Sequence, residues 1–382
     1  MKIAYGFRIA ALLLLLPDAY ISFQVLGDYE WWWKILVFIP AIIYLIIINN
    51  VFSKKNPSQR ALDIVFGLSL CIFFPTLIFT VISLFGLLIG VFIPSIYNIF
   101  NWIGLGATLL WLLMSLYGIT FGWKKITIKK INLSFNNLPS EFNGFKIVHL
   151  SDFHIGTYLS SPSTVTEIVS RVNSLNPDLI VFTGDMVNNN PDEVRPFISE
   201  LKNLQARYGV ISVLGNHDYC YYRSYTYPDN PQKALEKLVE LERQAGWRLL
   251  RNEAMEIVRE NEKIAIVGVE NASAKAFINK SDLKKALSSI PLNEFKILLS
   301  HDPSHWRNEV LPDTNIDLTL SGHTHGMQFK IGKFSPAKWI YPEWGGVYRK
   351  GLQTLVVSTG IGENVAFRFG AFPQILEITL NN

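Results

Sequence analysis

The chain of 382 residues is long enough for two or three domains of roughly 100–200 residues each, and its net charge of +4 is too mild to argue for a nucleic-acid partner. Its two cysteines, Cys71 in an apolar stretch and Cys220 in the more polar part, are too differently placed for a disulfide and fit a reducing compartment. Composition changes sharply near residue 123, from almost wholly apolar and aromatic to the charge density of an ordinary globular domain.

Residues 1–123 read as a transmembrane region of four spans, at about 5–26, 31–49, 64–93 and 98–122. Each comes near or above the ~20 apolar residues that a bilayer crossing needs. Lys2, Arg8 and the Leu12–Leu16 run imitate a signal peptide, but no small-x-small cleavage site follows and further spans do. Pro17 and Asp18 interrupt the first span; Asp18 is expected to reach a polar interior or the interface. The positive clusters are Lys2 with Arg8, then Lys54, Lys55 and Arg60, then Lys124, Lys125, Lys129 and Lys130. All fall on one side if both termini are cytoplasmic, which places the protein in an inner membrane with its C-terminal domain on the inner face. Trp31, Trp32 and Trp33 then fit the aromatic belt of the outer surface.

A basic juxtamembrane linker and a first strand are expected over 124–144, and a catalytic domain over 145–382. Strands are expected at 145–151, 179–184, 209–214, 263–269, 295–300, 317–321, 354–358 and 374–380, and helices at about 162–175, 191–206, 231–245 and 281–289. Ser161-Pro162 and Asn190-Pro191 are helix-start signals. Alternating strands and helices predict a layered α/β domain, in which ligands gather beyond the carboxyl ends of the strands.

Five apolar runs stop abruptly at Asp, Asn or His. They are Val148 to His154, Leu179 to Asp185, Val210 to Asp218, Ile297 to Asp302 and Leu318 to His325. Five of the seven histidines lie in them, namely His154, His217, His301, His323 and His325, in the company of Asp152, Asp185 and Asn216. Carboxylate and amide oxygens mixed with neutral imidazoles suit first-row divalent ions such as Mn, Fe or Zn, whereas magnesium prefers oxygen and structural zinc recruits cysteine. A dinuclear centre explains the convergence: two cations lower the pKa of a shared water and neutralise phosphoryl oxygens, so that hydroxide can attack a phosphoester or pyrophosphate. A carboxylate is the group able to bridge both ions. His217, next to a ligand in sequence but not needed as one, is the candidate general acid, with Asp218 to orient it or to support the ligands.

With these motifs the chain resembles the calcineurin-like metallophosphoesterase family over roughly 145–380. The resemblance rests on Asp152-Phe153-His154, Gly184-Asp185, Gly215-Asn216-His217-Asp218, the lone His301 and Gly322-His323-Thr324-His325. It implies a four-layer αββα sandwich, with Asp152, His154 and His325 on one metal, Asn216, His301 and His323 on the other, and Asp185 bridging. Two departures stand out. Asn188 replaces an Asp that supports the acid histidine, and Met327 replaces a glycine, which is expected to narrow the site. His149 is expected to be a core or supporting residue, and His305 a surface one.

Substrate contacts are sought in Tyr219–Tyr227, above all Tyr221, Tyr222 and Arg223. Further along are Lys330, Lys333, Lys338, Trp339, Tyr341, Trp344, Arg349 and Lys350, and then Arg368 as an anion contact. Basic and aromatic side chains together suit a phosphate with an apolar or base-like group, ordinary loop packing, or an anionic membrane surface. Four spans are more than a tether needs, so the expected substrate is membrane-borne: a phospholipid, a lipid-linked sugar phosphate or a nucleotide–lipid pyrophosphate. The rival expectations are a membrane-tethered phosphodiesterase acting on soluble nucleotides and a non-catalytic scaffold or sensor.

Overall fold

The computed structural model describes residues 15–225, 229–273 and 278–382, together with Ile9 and Leu13. It falls into two units, Met1–Phe121 with Val365–Phe367, and Gly122–Asn364 with Arg368–Asn382.

In the first unit, three helical stretches among the described residues are long and apolar enough to cross a membrane: Trp31–Phe52, Gln59–Gly90 and Ser95–Lys124. The expected span at 5–26 falls partly outside the described residues. Its described part runs as helix Leu15–Tyr20 and a π-turn Ile21–Val25, with Asp18 buried. Burial here is the inverse of a soluble bundle. The helix Phe74–Gly90 buries Pro75, Thr80, Ser83 and Gly86, and Ser95–Thr120 buries Gly104, Ser115 and Gly118. Leu88, Phe92 and Trp102 are instead 64%, 85% and 73% exposed. Lipid is as apolar as leucine, so helices associate through small residues that let backbones approach. A Cβ on Gly86 would lie 2.3 Å from Cβ of Phe100. Pro75 cannot donate and would press on the carbonyl four residues back, and a π-turn at Ser69–Phe73 absorbs that conflict.

Among its described residues the second unit has twelve strands: β1 Thr127–Ser134, β2 Phe145–Leu150, β3 Leu179–Phe182, β4 Val210–Ser212, β5 Arg248–Leu249, β6 Glu253–Arg259, β7 Glu262–Gly268, β8 Lys296–Leu299, β9 Leu318–Ser321, β10 Gly346–Lys350, β11 Gln353–Val357 and β12 Gln374–Asn381. They form two mixed six-stranded sheets, ordered β1-β12-β2-β3-β4-β5 and β10-β11-β9-β8-β7-β6. One core joins the inner faces of both, from Ile147, Val181, Ile211 and Ile378 of the first to Ile266, Ile297, Leu320 and Val356 of the second. The opposite face of the second sheet, with Val267, Leu298 and Leu355, packs under Leu283, Ala286, Trp306 and Val310. Helix Ser163–Ser174 buries Val165, Ile168, Val169 and Val172, an apolar stripe at helical spacing.

The expected helix 191–206 is instead two 3-10 turns and the short helix Ile198–Lys202. Pro196 withholds an N–H and disfavours helical dihedrals in the residue before it, so no long helix can run through. Strands β6 and β10, which the apolar pattern did not reveal, are the two edges of the second sheet and leave alternate positions in water. In the middle of each sheet β2, β3 and β4, and β7, β8, β9 and β11, run parallel.

Candidate metal centre

The segments leaving β2, β3, β4, β8 and β9 are laced together by their own backbones. Asp152 N donates to Gly184 O at 2.9 Å, His154 N to Asp185 O at 3.0 Å, and Gly322 N to His301 O at 2.9 Å. A Cβ on Gly322 would lie 1.8 Å from Ser151 Oγ and 2.2 Å from Asp152 Oδ2, so only glycine allows that strand to come so close. Asp152, His154, Asp185, His323 and His325 all have positive φ. Such dihedrals cost on the order of 1–3 kcal/mol each in non-glycine residues, so strain is concentrated where the chemistry gathers.

One donor atom from each of Asp152, His154, Asp185 and His325 lies within 4.8 Å of the others, and a second group joins Asp185, His301 and His323. Asp185 belongs to both. Its Oδ2 lies 3.6 Å from His154 Nε2 and 3.1 Å from His301 Nε2. His325 Nε2 lies 3.2 Å from His154 Nε2 and 3.4 Å from Asp152 Oδ1, and His323 Nδ1 lies 3.2 Å from His301 Nε2. Carbonyls fix two of the tautomers. His301 Nδ1 donates to Thr183 O at 2.7 Å and His325 Nδ1 to Gly362 O at 3.2 Å, so in the neutral form of each ring Nε2 is the nitrogen whose lone pair faces the cluster.

The electrostatics call for positive charge. Burial raises the Asp185 carboxyl, but His301, His217 and His154 hold it well below the usual carboxylate range. Burial pushes Asp152 up to about 6, with Asp185 adding to the rise and His301 opposing it. Burial disfavours the imidazolium of His301, yet Asp185 and Asp152 beside it raise its pKa to about 10. His154 is lowered to about 3 by burial and by His217, which keeps it neutral. Asn216 Oδ1 is buried without a hydrogen-bond partner, while its Nδ2 donates to Tyr222 Oη at 3.1 Å. A buried orphan oxygen together with carboxylates and imidazoles is the donor set that a hard-to-borderline divalent cation satisfies.

Residues 145–327 match the profile of the calcineurin-like phosphoesterases. The uncharacterized metallophosphoesterase YkuE of Bacillus subtilis is 32% identical over 255 residues, which cover 64% of this chain and 82% of that protein. This chain belongs to the calcineurin-like phosphoesterase family. It is therefore a phosphoric ester hydrolase, and its apolar helices make it a membrane protein. The UDP-2,3-diacylglucosamine pyrophosphatase LpxG of Chlamydia trachomatis is 30% identical over 294 residues, covering 63% of this chain and 85% of that protein. A Danio rerio transmembrane protein with metallophosphoesterase domain is 29% identical over 276 residues, covering 70% of this chain but 60% of that protein's length.

Several residues of this phosphoesterase take places that its sequence did not foretell. Asp218 is fully buried and does not orient His217. Its Oδ2 accepts from Asp185 N and Gly215 N, both at 2.8 Å, and its Oδ1 from Met186 N at 2.7 Å and Val187 N at 3.3 Å. His217 is held by main chain, its Nδ1 donating to Asn188 O at 2.6 Å, so the neutral Asn188 side chain does not weaken that support. Arg368 is corrected as well. It is fully buried, ion-paired with Glu363, and donates to Thr359 O and Ala371 O at 2.8 Å and Gly362 O at 2.5 Å. A guanidinium so engaged has no free edge for a substrate anion. It braces the 359–371 loop, and its Nη2 shares the Gly362 carbonyl with His325 Nδ1.

His305 is buried rather than on the surface, with Nδ1 2.9 Å from Ser300 Oγ. His149 is buried in β2 with Nε2 2.8 Å from Thr183 Oγ1. Of the proposed substrate residues, Tyr222 packs its ring 4.7 Å from His217, whereas Tyr221 stacks on Tyr219 and the Arg223 guanidinium lies over Tyr225. Thr226 and Tyr227 lie outside the described residues. The sequence singled out Tyr341 only as an aromatic after the last motif; its hydroxyl meets His323 Nε2 at 2.9 Å.

Proposed function

We propose that this protein hydrolyses the phosphoester or pyrophosphate bond of a membrane-borne, lipid-linked substrate at the cytoplasmic face of an inner membrane, using two divalent ions. The observation that carries the reading is the sharing of Asp185 Oδ2 between two donor clusters. Asp152, His154, Asp185 and His325 would hold one ion, and Asp185, Asn216, His301 and His323 the other. Such a pair supplies Lewis acidity towards phosphoryl oxygens and a nucleophile from water near neutral pH.

The chain's own residues do the rest. Asp218 ties the Asp185 and Asn216 turns into one rigid frame through its four backbone bonds. His217 binds Asn188 O through Nδ1–H, so its neutral form accepts from Asn364 Nδ2 at 3.4 Å through Nε2, and its imidazolium presents the second proton at that same Nε2. As hydroxide, its water proton already released to solvent, bonds to phosphorus and the bond from phosphorus to the bridging oxygen breaks, that Nε2 proton passes to the leaving oxygen. Tyr222, packed at a tilt against His217 and bonded to Asn216, walls the site on that side.

The apolar helices and the relative that is a diacylglucosamine pyrophosphatase support a lipid substrate. The Lys54–Arg60 and Lys124–Lys130 clusters support a cytoplasmic active site. The test uses full-length protein in nanodiscs with Mn²⁺, assayed against phospholipids, lipid-linked sugar phosphates, nucleotide–lipid pyrophosphates and soluble nucleotides, with metal content measured alongside. Two ions per chain and preferential turnover of lipidic substrates are expected. A strong preference for soluble cyclic or linear nucleotides would overturn the lipid reading.

A further inference from the structure

The segment that follows the last two histidines, 327–342, forms a lobe with an unusual surface. Met327, Ile331, Phe334, Trp339 and Ile340 are 45%, 53%, 36%, 73% and 45% exposed. Lys330, Lys333 and Lys338 are interleaved with them, and the segment contains no Asp or Glu. The exposure is built in. Ile331 and Phe334 pair through two backbone hydrogen bonds of 2.9 Å around Gly332, whose φ of +58° makes the turn. Lys330 N donates to Phe369 O at 2.8 Å, and the buried Ser335 bonds Gly326 O through Oγ at 2.6 Å. An anchored lobe of this kind cannot fold its apolar side chains inward, so they stand ready for a partner.

We infer that this lobe is a docking surface for an anionic phospholipid bilayer. A tryptophan beside isoleucines and phenylalanine suits the headgroup–acyl boundary, and three lysines without a nearby acid match anionic headgroups. The Lys338 ammonium lies 4.7 Å from the Phe334 ring centroid, which meets Trp339 edge-on at 5.5 Å, so cation and aromatics present one amphipathic face. The lobe starts two residues after His325 and ends beside Tyr341, the partner of His323, so docking brings the mouth of the metal centre to the lipid. That catalytic consequence rests on the lipid-substrate reading above; the docking itself does not.

The test labels Trp339→Cys with an environment-sensitive fluorophore in full-length Cys71→Ser protein, in which the remaining Cys220 is buried. Glu260→Cys, on the exposed β6–β7 turn, is the control. In nanodiscs containing phosphatidylglycerol, doxyl-lipid quenching at 339 should be at least ~two-fold stronger than at 260, and should fall in phosphatidylcholine alone. Combining Lys330→Glu, Lys333→Glu and Lys338→Glu should abolish the difference while the circular dichroism spectrum and Tm in detergent stay unchanged. Equal quenching at 339 and 260, or quenching indifferent to lipid charge, overturns the proposal. So does concentration-dependent burial of the label in detergent, which would mean a second copy covers the lobe. If quenching holds but lipids are poor substrates, the docking stands and the substrate reading falls.

Discussion

Tyr341 Oη lies 2.9 Å from Nε2 of His323, and the two rings meet nearly edge to face with centroids 5.4 Å apart. With Nδ1 of His323 turned to His301 Nε2 at 3.2 Å, the hydroxyl at Nε2 holds the ring in the orientation that points Nδ1 into the cluster. Tyr341→Phe keeps the ring and removes the partner. Affinity for the more weakly held ion should drop about 10–100-fold, with kcat largely restored at saturating metal. Metal titration of the full-length protein checks this; an unchanged titration curve would show that Tyr341 only packs.

Asp185→Asn tests the shared carboxylate. The amide can still accept from His217 N, which donates to Asp185 Oδ1 at 2.8 Å, so the fold should persist. Charge and bridging capacity go, so metal content should fall below two ions per chain and turnover should vanish. Circular dichroism and metal analysis on one preparation separate loss of centre from loss of fold. Surviving turnover would make the two-ion mechanism wrong.

The sequence revealed the site more fully than it revealed the site's supports, for a physical reason. Asp152, Asp185 and His301 each end an apolar strand, and that break is visible because burial demands apolar residues up to the point where chemistry demands polar ones. Supporting contacts leave no such trace. Tyr341 reaches His323 across 18 positions and Arg368 reaches His325 across 43, and neither spacing carries a periodic signal. For Asp218 the sequence left two roles open, orienting His217 or supporting the ligands. Only coordinates show its carboxylate turned to four backbone N–H groups.

His217→Asn should lower kcat about 10²–10⁴-fold on substrates with alkoxide leaving groups. Nitrophenyl esters, whose leaving group needs no proton, should lose much less. The mechanism places the transferred proton at Nε2, held in line by the Nδ1 bond to Asn188 O at 2.6 Å. Comparing the two substrate classes for wild type and variant reads the proton transfer directly, and an equal loss on both would assign His217 to binding.

Asp218→Asn should be chiefly a stability variant. All four of its contacts are acceptances from backbone N–H at 2.7–3.3 Å, in a fully buried position. An amide turns one acceptor into a donor facing N–H groups, which should cost about 3–5 kcal/mol. The Tm in detergent should fall before any effect specific to the metal ions appears, and metal should be retained by the fraction that remains folded.

Glu242 gives the pH dependence. It is fully buried in helix Pro231–Gln244, accepting from Ser212 Oγ at 2.6 Å. Burial, reinforced by the Asp218 charge, raises its pKa from 4.5 to about 8. The folded state therefore holds a proton that the unfolded chain releases near pH 4.5, so the stabilisation is complete below that pH. It is lost progressively as pH rises towards about 8. Glu242→Gln carries no such charge at any pH and can still accept from Ser212. Its Tm should match the wild type near pH 5 and exceed it increasingly up to pH 8. A Tm difference that does not grow over this interval would mean that Glu242 ionises freely in the folded protein.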